Sequence, residues 1–212
     1  MTPTALLIGS VGALADTSEM QRAAFNAAFA EAGLDWYWDP ETYRRLLQRP
    51  GGRRRIADYA AARNQTVDAA ALHAAKVRLF ADAVARDGLA PRPGIVTLIS
   101  TARARGVPTA FVTTTTPDTV ALILDGLGDA LPDPAFDLVT DTTMVDDPKP
   151  APDIYALATR LLGVAPGRAL AIEDTPEAVG AAIAAGLPTV ALPNAAARGR
   201  AFPGARAVLE AA

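Results

Sequence analysis

Short runs rich in apolar and β-branched residues recur along the chain, and they alternate with longer stretches of helical spacing. Five such runs predict β-strands at 5–8, 109–112, 136–140, 169–172 and 189–192. Around and between the last four runs, apolar positions three and four residues apart predict helices over 96–105, 118–127, 152–162 and 176–185. This alternation predicts an α/β fold, a Rossmann-like parallel sheet of five strands with helices on both faces.

The alternation breaks between the first two strands, where residues 15–88 show no strand pattern. Helical spacing there predicts four helices, at about 17–32, 40–48, 53–63 and 67–86. We therefore expect an α/β core domain of residues 1–14 and 89–212, with a helical cap domain of residues 15–88 inserted into it. In such open sheets, ligands bind beyond the carboxyl ends of the strands.

Composition narrows the chemistry that this fold can carry. The 212 residues include no cysteine and one histidine, His73, which excludes thiolate sites, most zinc sites and most Ser-His catalysis. A net charge of -3 gives no general attraction for nucleic acid or anionic lipid. No apolar run is long enough to span a membrane. We expect a cytoplasmic protein with a small ligand, and neither a nucleic acid nor a membrane as partner.

Polar segments follow four of the predicted strands, at 9–17, 113–116, 146–150 and 173–175. Because parallel strands place their carboxyl ends at one edge of the sheet, these segments are expected to converge on one site. Their set and order resemble the haloacid dehalogenase-like superfamily of phosphohydrolases, in the form with a helical cap inserted after the first strand.

A narrower resemblance is to the CbbY type, phosphatases that act on xylulose 1,5-bisphosphate. It rests on AFNAAF at 24–29, GLDW at 33–36, YRRLL at 43–47, GG at 51–52 and KPAPDIY at 149–155. The superfamily resemblance covers essentially the whole chain. It implies a small phosphorylated ligand, such as a sugar phosphate or inorganic phosphate.

The loop after the first strand departs from the superfamily pattern, which reads D-x-D-G-T. There the first Asp attacks phosphorus, the second is the general acid and base, and both help to hold Mg²⁺. This chain has Gly9 at the nucleophile position and Val11 at the acid/base position. The resemblance therefore implies a pseudoenzyme with weak or absent Mg²⁺ binding. Ser10 is not expected to act as a replacement nucleophile. Side chains along an extended segment alternate between two faces, so if positions 9 and 11 face the site, Ser10 faces away from it.

The resemblance also assigns roles to residues that remain. Thr113 and Lys149 would be vestigial catalytic residues that contact the phosphoryl group. Glu173 and Asp174 would be the magnesium ligands, with helix capping as the competing interpretation. The substrate-binding set would comprise Thr113, Thr114, Lys149, Arg49, Gly51, Gly52 and Arg53.

Three functions stay open on this evidence. The first is a pseudoenzyme that binds phosphate or a sugar phosphate without turnover. The second is a weak or unusual phosphatase in which Glu173 or Asp174 activates water. The third is a regulatory or interaction partner with no ligand, whose protein partner the sequence does not identify.

Overall fold

A computed structural model describes residues 2–47 and 51–209. The chain divides into two compact units: a core unit of Met1–Asp16 with Leu89–Ala212, and a helical unit of Thr17–Gly88. In the part of the chain that is described, no helix has the length and apolar character needed to cross a membrane.

The core unit contains one parallel sheet of six strands in the spatial order β3–β2–β1–β4–β5–β6. The strands are β1 Ala5–Ile8, β2 Thr109–Phe111, β3 Leu138–Val139, β4 Ala169–Glu173, β5 Thr189–Ala191 and β6 Ala207–Val208. The expected count of five strands is therefore wrong. Strand β6 escapes sequence patterns because it has two residues, both exposed, and so has no buried face to mark it.

The helices among the described residues are α1 Val11–Leu14, α2 Ser18–Glu31, α3 Pro40–Leu46, α4 Gly52–Ala61, α5 Ala69–Asp87, α6 Ile95–Ala104, α7 Pro117–Leu127, α8 Asp153–Leu161 and α9 Pro176–Ala184. The sequence pattern predicts eight of these, within a few residues at each end. Helix α1 is the one that it misses, because four residues are too few to show a helical period.

Strand β1 lies in the middle of the sheet and is buried on both faces. Ala5 and Leu7 belong to an apolar cluster that also contains Ile154 of α8 and residues of α9. Leu6 and Ile8, which alternate with them, are buried as well. A strand covered on both faces by helices needs a continuous apolar run, which explains the sequence of β1. This strand brings its loop to the centre of the sheet's carboxyl edge.

The helical unit has an apolar core of its own, built largely from aromatic rings. The Trp38 ring centroid lies 4.8 Å from that of Phe25 and 4.7 Å from that of Phe29. The Asn26 side chain fixes the Trp38 backbone by accepting from its N–H at 2.8 Å and donating to its carbonyl at 3.0 Å. These contacts hold the segment between α2 and α3 against α2.

Candidate functional site

Three neighbouring strands bring polar residues to one place at the carboxyl edge of the sheet. Strand β1 pairs with β2 on one side and β4 on the other, so Gly9, Val112 and Glu173 come together. The Gly9 N–H donates to the Ile172 carbonyl at 2.8 Å, and the Val112 N–H donates to the Ile8 carbonyl at 2.8 Å. The backbone at this edge is therefore fixed by the sheet. We call the group Gly9, Lys149, Tyr155, Glu173 and Asp174 the strand-end site.

Lys149 lies at the centre of the strand-end site, with its side chain 11% exposed. Its Nζ donates to the Val112 carbonyl at 2.8 Å, to Glu173 Oε1 at 2.6 Å and to the Gly9 carbonyl. It also lies 3.1 Å from the Tyr155 hydroxyl oxygen, a fourth acceptor. An ammonium group has three N–H donors, so these acceptors are enough to satisfy it. The sequence predicts Lys149 at this edge of the sheet. The structure adds that its N–H groups donate to acceptors within the protein.

Glu173 ends β4, and its side chain is fully buried. Its carboxylate accepts hydrogen bonds from Lys149 and from the hydroxyl of Tyr155, which is also fully buried. Burial raises the pKa of Tyr155 well above its usual value, and the nearby Glu173 charge raises it further. The tyrosine therefore stays protonated and donates. Glu173 and Lys149 form a buried ion pair whose charges cancel.

The glycines of the loop after β1 are packed against the two acids of β4. A Cβ built on Gly9 would collide with the Tyr155 hydroxyl and the Glu173 carboxylate. A Cβ on Gly12 would collide with Asp174 Oδ2. The volume into which a side chain at position 9 would extend is thus already filled.

Asp174 is buried and has a hydrogen-bond donor at each oxygen. Ser10 Oγ donates to Oδ1 at 2.6 Å, and Asn194 Nδ2 donates to Oδ2 at 2.6 Å. Burial, followed by the neighbouring Glu173 charge, raises the pKa of Asp174 to about 6. The two donors and Lys149 act in the opposite direction.

The expectation that Ser10 turns away from the site is wrong. Strand β1 ends at Ile8, and Ser10 is the N-cap of α1, with its Oγ accepting from the Ala13 N–H at 3.3 Å. Because the chain leaves the strand at this point, the alternation of side chains does not continue to Ser10. The capping interpretation of the acids is also wrong, because Thr175 caps α9 by accepting from the Ala178 N–H.

Thr113 is buried where the chain leaves β2. Its Oγ1 accepts from the Thr115 N–H at 3.1 Å, which forms a tight turn. The Thr140 hydroxyl accepts from the Thr113 N–H at 3.0 Å and donates to the Thr113 carbonyl at 2.9 Å. Thr114 is half-buried beside it. Both residues follow β2, and their proposed contact with phosphate stays a prediction.

The substrate-binding residues predicted in the inserted segment belong to the helical unit. Gly51 has a φ of 96° and precedes α4, a conformation that favours glycine. Gly52 is the first residue of α4, and Arg53 is exposed on its first turn. Arg49 lies outside the described residues.

Sequence reasoning gave no site role to three basic residues of the helical unit, the buried Arg55 and Lys76 and the half-buried His73. Lys76 is 7% exposed, lies 5.0 Å from the ring centroids of Phe25 and Phe80, and donates to the Gln21 side-chain amide oxygen. Arg55 is 8% exposed.

Burial shifts all three of these pKa values downward. It lowers the pKa of Lys76 to about 8, with a further contribution from the Arg55 charge. It also lowers the pKa of Arg55 and of His73, the latter with added repulsion from Lys76, Arg55 and Arg53. The signal for Lys76 lies in its spacing, since Leu72, Lys76 and Phe80 fall four residues apart on the buried face of α5.

Comparison with known proteins agrees with this architecture. The profile of the haloacid dehalogenase-like hydrolase family matches residues 7–186. The chain belongs to that family. CbbY from a plasmid of Cupriavidus necator is 41% identical, over 97% of this chain and 84% of its own.

Two solved structures show the same family fold. One is CbbY from Rhodobacter sphaeroides in complex with phosphate, with a TM-score of 0.83 and 39% identity over 99% of this chain and 95% of that one. The other is a mutant of the same protein in complex with xylulose-1,5-bisphosphate, with a TM-score of 0.82, the same identity and the same coverage. The chain is thus a haloacid dehalogenase-like protein of the CbbY and phosphoglycolate phosphatase type.

Hydrolases of this family typically use Mg²⁺, an ion that prefers octahedral oxygen ligands. Within residues 2–47 and 51–209, no three His, Asp or Glu side chains converge in a way that would hold a metal. Glu173 is engaged by Lys149 and Tyr155, and both oxygens of Asp174 accept hydrogen bonds. Arranged in this way, the two acids do not fit a magnesium ion.

Proposed function

We propose that this haloacid dehalogenase-like protein is a pseudoenzyme that binds phosphate or a sugar phosphate without turning it over. One observation carries the proposal. Position 9, where the family places its nucleophile, has no side chain, and the space for one is filled by Glu173 and Tyr155. Phosphoryl transfer therefore lacks the group that would attack phosphorus.

The acid/base position supports the same conclusion. Val11 has no proton to donate or accept, and it begins α1. Loss of a covalent nucleophile alone costs roughly a millionfold in turnover in a well-measured protease. Restoring Gly9→Asp and Val11→Asp would also require Glu173 and Tyr155 to move, because they occupy the space of the new side chain.

Retained groups support phosphate binding. Lys149 supplies an ammonium at the carboxyl edge of the sheet, and Thr113 and Thr114 supply hydroxyls from the neighbouring strand end. The two CbbY structures hold phosphate and xylulose-1,5-bisphosphate. A ligand of the same class is what we propose for this chain. The roles that the resemblance assigns to Arg49 and Arg53 stay predictions.

We also propose that the protein binds phosphate without a metal ion and that it is located in the cytoplasm. Both carboxylates that the family would offer to Mg²⁺ are engaged within the protein. The alternative, a weak phosphatase using Glu173 or Asp174 to activate water, has less support. Glu173 is fully buried in an ion pair, and Asp174 is hydrogen-bonded at both oxygens.

The test combines calorimetry with an activity assay. Phosphate and a pentulose bisphosphate are titrated into the protein in chelator, and hydrolysis of both the bisphosphate and an aryl phosphate is measured with and without Mg²⁺. We expect binding in chelator and no hydrolysis above background. Chelator-sensitive turnover by the unaltered protein, or binding that appears only with Mg²⁺, would contradict the proposal.

A further inference from the structure

Phosphate has no free N–H on Lys149 to bind as the site stands. The three donors of the ammonium are shared among the Gly9 carbonyl, the Val112 carbonyl, the Glu173 carboxylate and the Tyr155 hydroxyl. The two carbonyls belong to backbone that the sheet fixes. Of the two side-chain acceptors, the Tyr155 hydroxyl is neutral and Glu173 is the carboxylate, so Glu173 is the one that an incoming anion would replace.

The position of Glu173 is tied to the loss of the loop side chain. Its carboxylate and the Tyr155 hydroxyl occupy the volume in which a Cβ at position 9 would lie. The hydroxyl donates to the carboxylate and helps to hold it there. Glycine at position 9 is therefore what lets the Glu173 carboxylate come this close to the loop backbone.

We propose that the Glu173 carboxylate is a tethered anion that competes with phosphate for Lys149. Glu173, rather than any loop residue, then sets how tightly the strand-end site accepts an anion. This inference rests on the proposed function and deepens it, since it names the residue that limits affinity. It also makes the site specific for strongly charged ligands, because only a dianion can compete well with a buried carboxylate.

The charges of Lys149 and Glu173 predict how a substitution at position 173 changes the affinity for phosphate. Lys149 and Glu173 cancel one another, so an approaching phosphate finds no net positive charge from the pair. Glutamine at position 173 keeps the length of the side chain and an acceptor for Lys149 but removes the negative charge. The ammonium charge then becomes available, and the repulsion between Glu173 and phosphate disappears.

The experiment is calorimetric titration of inorganic phosphate, in chelator, into the unaltered protein, Glu173→Gln and Glu177→Gln. The last is a matched control, because Glu177 is exposed on α9 and pairs with Arg200, so the substitution makes the same change in net charge. We expect Glu173→Gln to tighten binding by about tenfold or more. Glu177→Gln should change it by less than about threefold, as is usual for an exposed ion pair.

Two further variants keep the inference testable. Glu173→Asp withdraws the carboxylate from Lys149 by one methylene and should tighten binding less than Glu173→Gln; it also serves if Glu173→Gln does not fold. Adding Lys149→Met to Glu173→Gln should abolish the gain.

The outcomes separate the inference from the proposed function. Binding by the unaltered protein with no gain in either Glu173 variant overturns the tethered anion and leaves the proposed function intact. Absence of phosphate binding in the unaltered protein and in both variants overturns both. A gain in Glu173→Gln that survives Lys149→Met shows that Lys149 is not the contested group, and it also overturns the inference.

Discussion

The protein buries two lysines, and it does so in opposite ways. Lys149 of the core unit contacts a buried carboxylate at 2.6 Å, and the pair is electrically neutral. Lys76 of the helical unit is more deeply buried, but it donates to the neutral amide of Gln21 and lies near the rings of Phe25 and Phe80. Burial shifts the pKa of Lys76 down to about 8. The charge of the neighbouring Arg55 contributes to this downward shift.

The difference shows that the two units compensate the charge of a buried lysine in different ways. A neutral buried pair stabilises the fold only while both partners remain, because removal of one leaves a charge without compensation. A buried lysine without a carboxylate partner costs stability while it is charged, because burial disfavours the charged form. Lys149 of the strand-end site is paired with a carboxylate, whereas the hydrogen-bond partner of Lys76 is an uncharged amide.

The largest effect is expected from Lys149→Met, which leaves the Glu173 charge fully buried without its cation. The free energy of unfolding should fall by about 3–5 kcal/mol, measured by denaturant titration. Lys149→Met combined with Glu173→Gln should recover much of that loss, since no buried charge is then left unpaired. A loss below about 1 kcal/mol in the single variant would show that the pair does not matter for stability.

A pH effect of similar size is expected from Lys76. Its pKa is about 8 in the folded protein against 10.5 when unperturbed, so between these values the unfolded chain holds a proton that the folded protein has released. The free energy of unfolding should therefore rise with pH from 8 towards 10.5, by up to about 3 kcal/mol. Below pH 8 the contribution is constant.

Lys76→Met is the control for this slope. The raised pKa of Tyr43, about 12, makes the folded protein lose stability above pH 10. The comparison is thus best made by chemical denaturation between about pH 7.5 and pH 9.5, below the range in which Tyr43 contributes. The rise with pH should be present in the unaltered protein and absent in Lys76→Met. Equal slopes in both proteins would show that Lys76 titrates normally.

Replacing a glycine by alanine should cost more stability at Gly9 of the core unit than at Gly52 of the helical unit. Gly9→Ala pushes a methyl group into Glu173 and Tyr155, which hydrogen bonds hold in place, and should cost about 1–3 kcal/mol in the free energy of unfolding. Gly52→Ala meets the imidazole of His73, a half-buried side chain that can rotate. It should cost less than Gly9→Ala. The reverse order, measured by thermal and denaturant unfolding, would contradict the packing described for the strand-end site.

The smallest effect is expected from Gln21→Glu, which gives Lys76 the kind of partner that Lys149 already has. An opposite charge at hydrogen-bond distance should raise the pKa of Lys76 by at least about one unit, or about 1.4 kcal/mol. The pH-dependent rise in stability should then start above pH 8. Gln21→Leu, which adds no charge, should leave the pKa low; a raised pKa in that variant would contradict the charge explanation.

Much of the architecture follows from the sequence alone. Apolar runs such as Ala5–Ile8 predict buried parallel strands, and the spacing of apolar residues predicts eight of the helices, because burial on two faces or on one stripe leaves a period in the sequence. The change at Gly9 and Val11 is equally local. It can be read from five consecutive residues by resemblance, without any contact being known.

Only the tertiary structure decides how the polar groups are paired. Lys149 and Glu173 are 24 residues apart, and their contact depends on the order of β2, β1 and β4 in the sheet. The direction of Ser10 depends on where β1 ends, and the filled volume at Gly9 depends on Tyr155 of another element. The spacing of apolar residues within a segment indicates which of its faces is buried. The pairing of charges is decided by which segments the fold brings together, and no single segment carries that information.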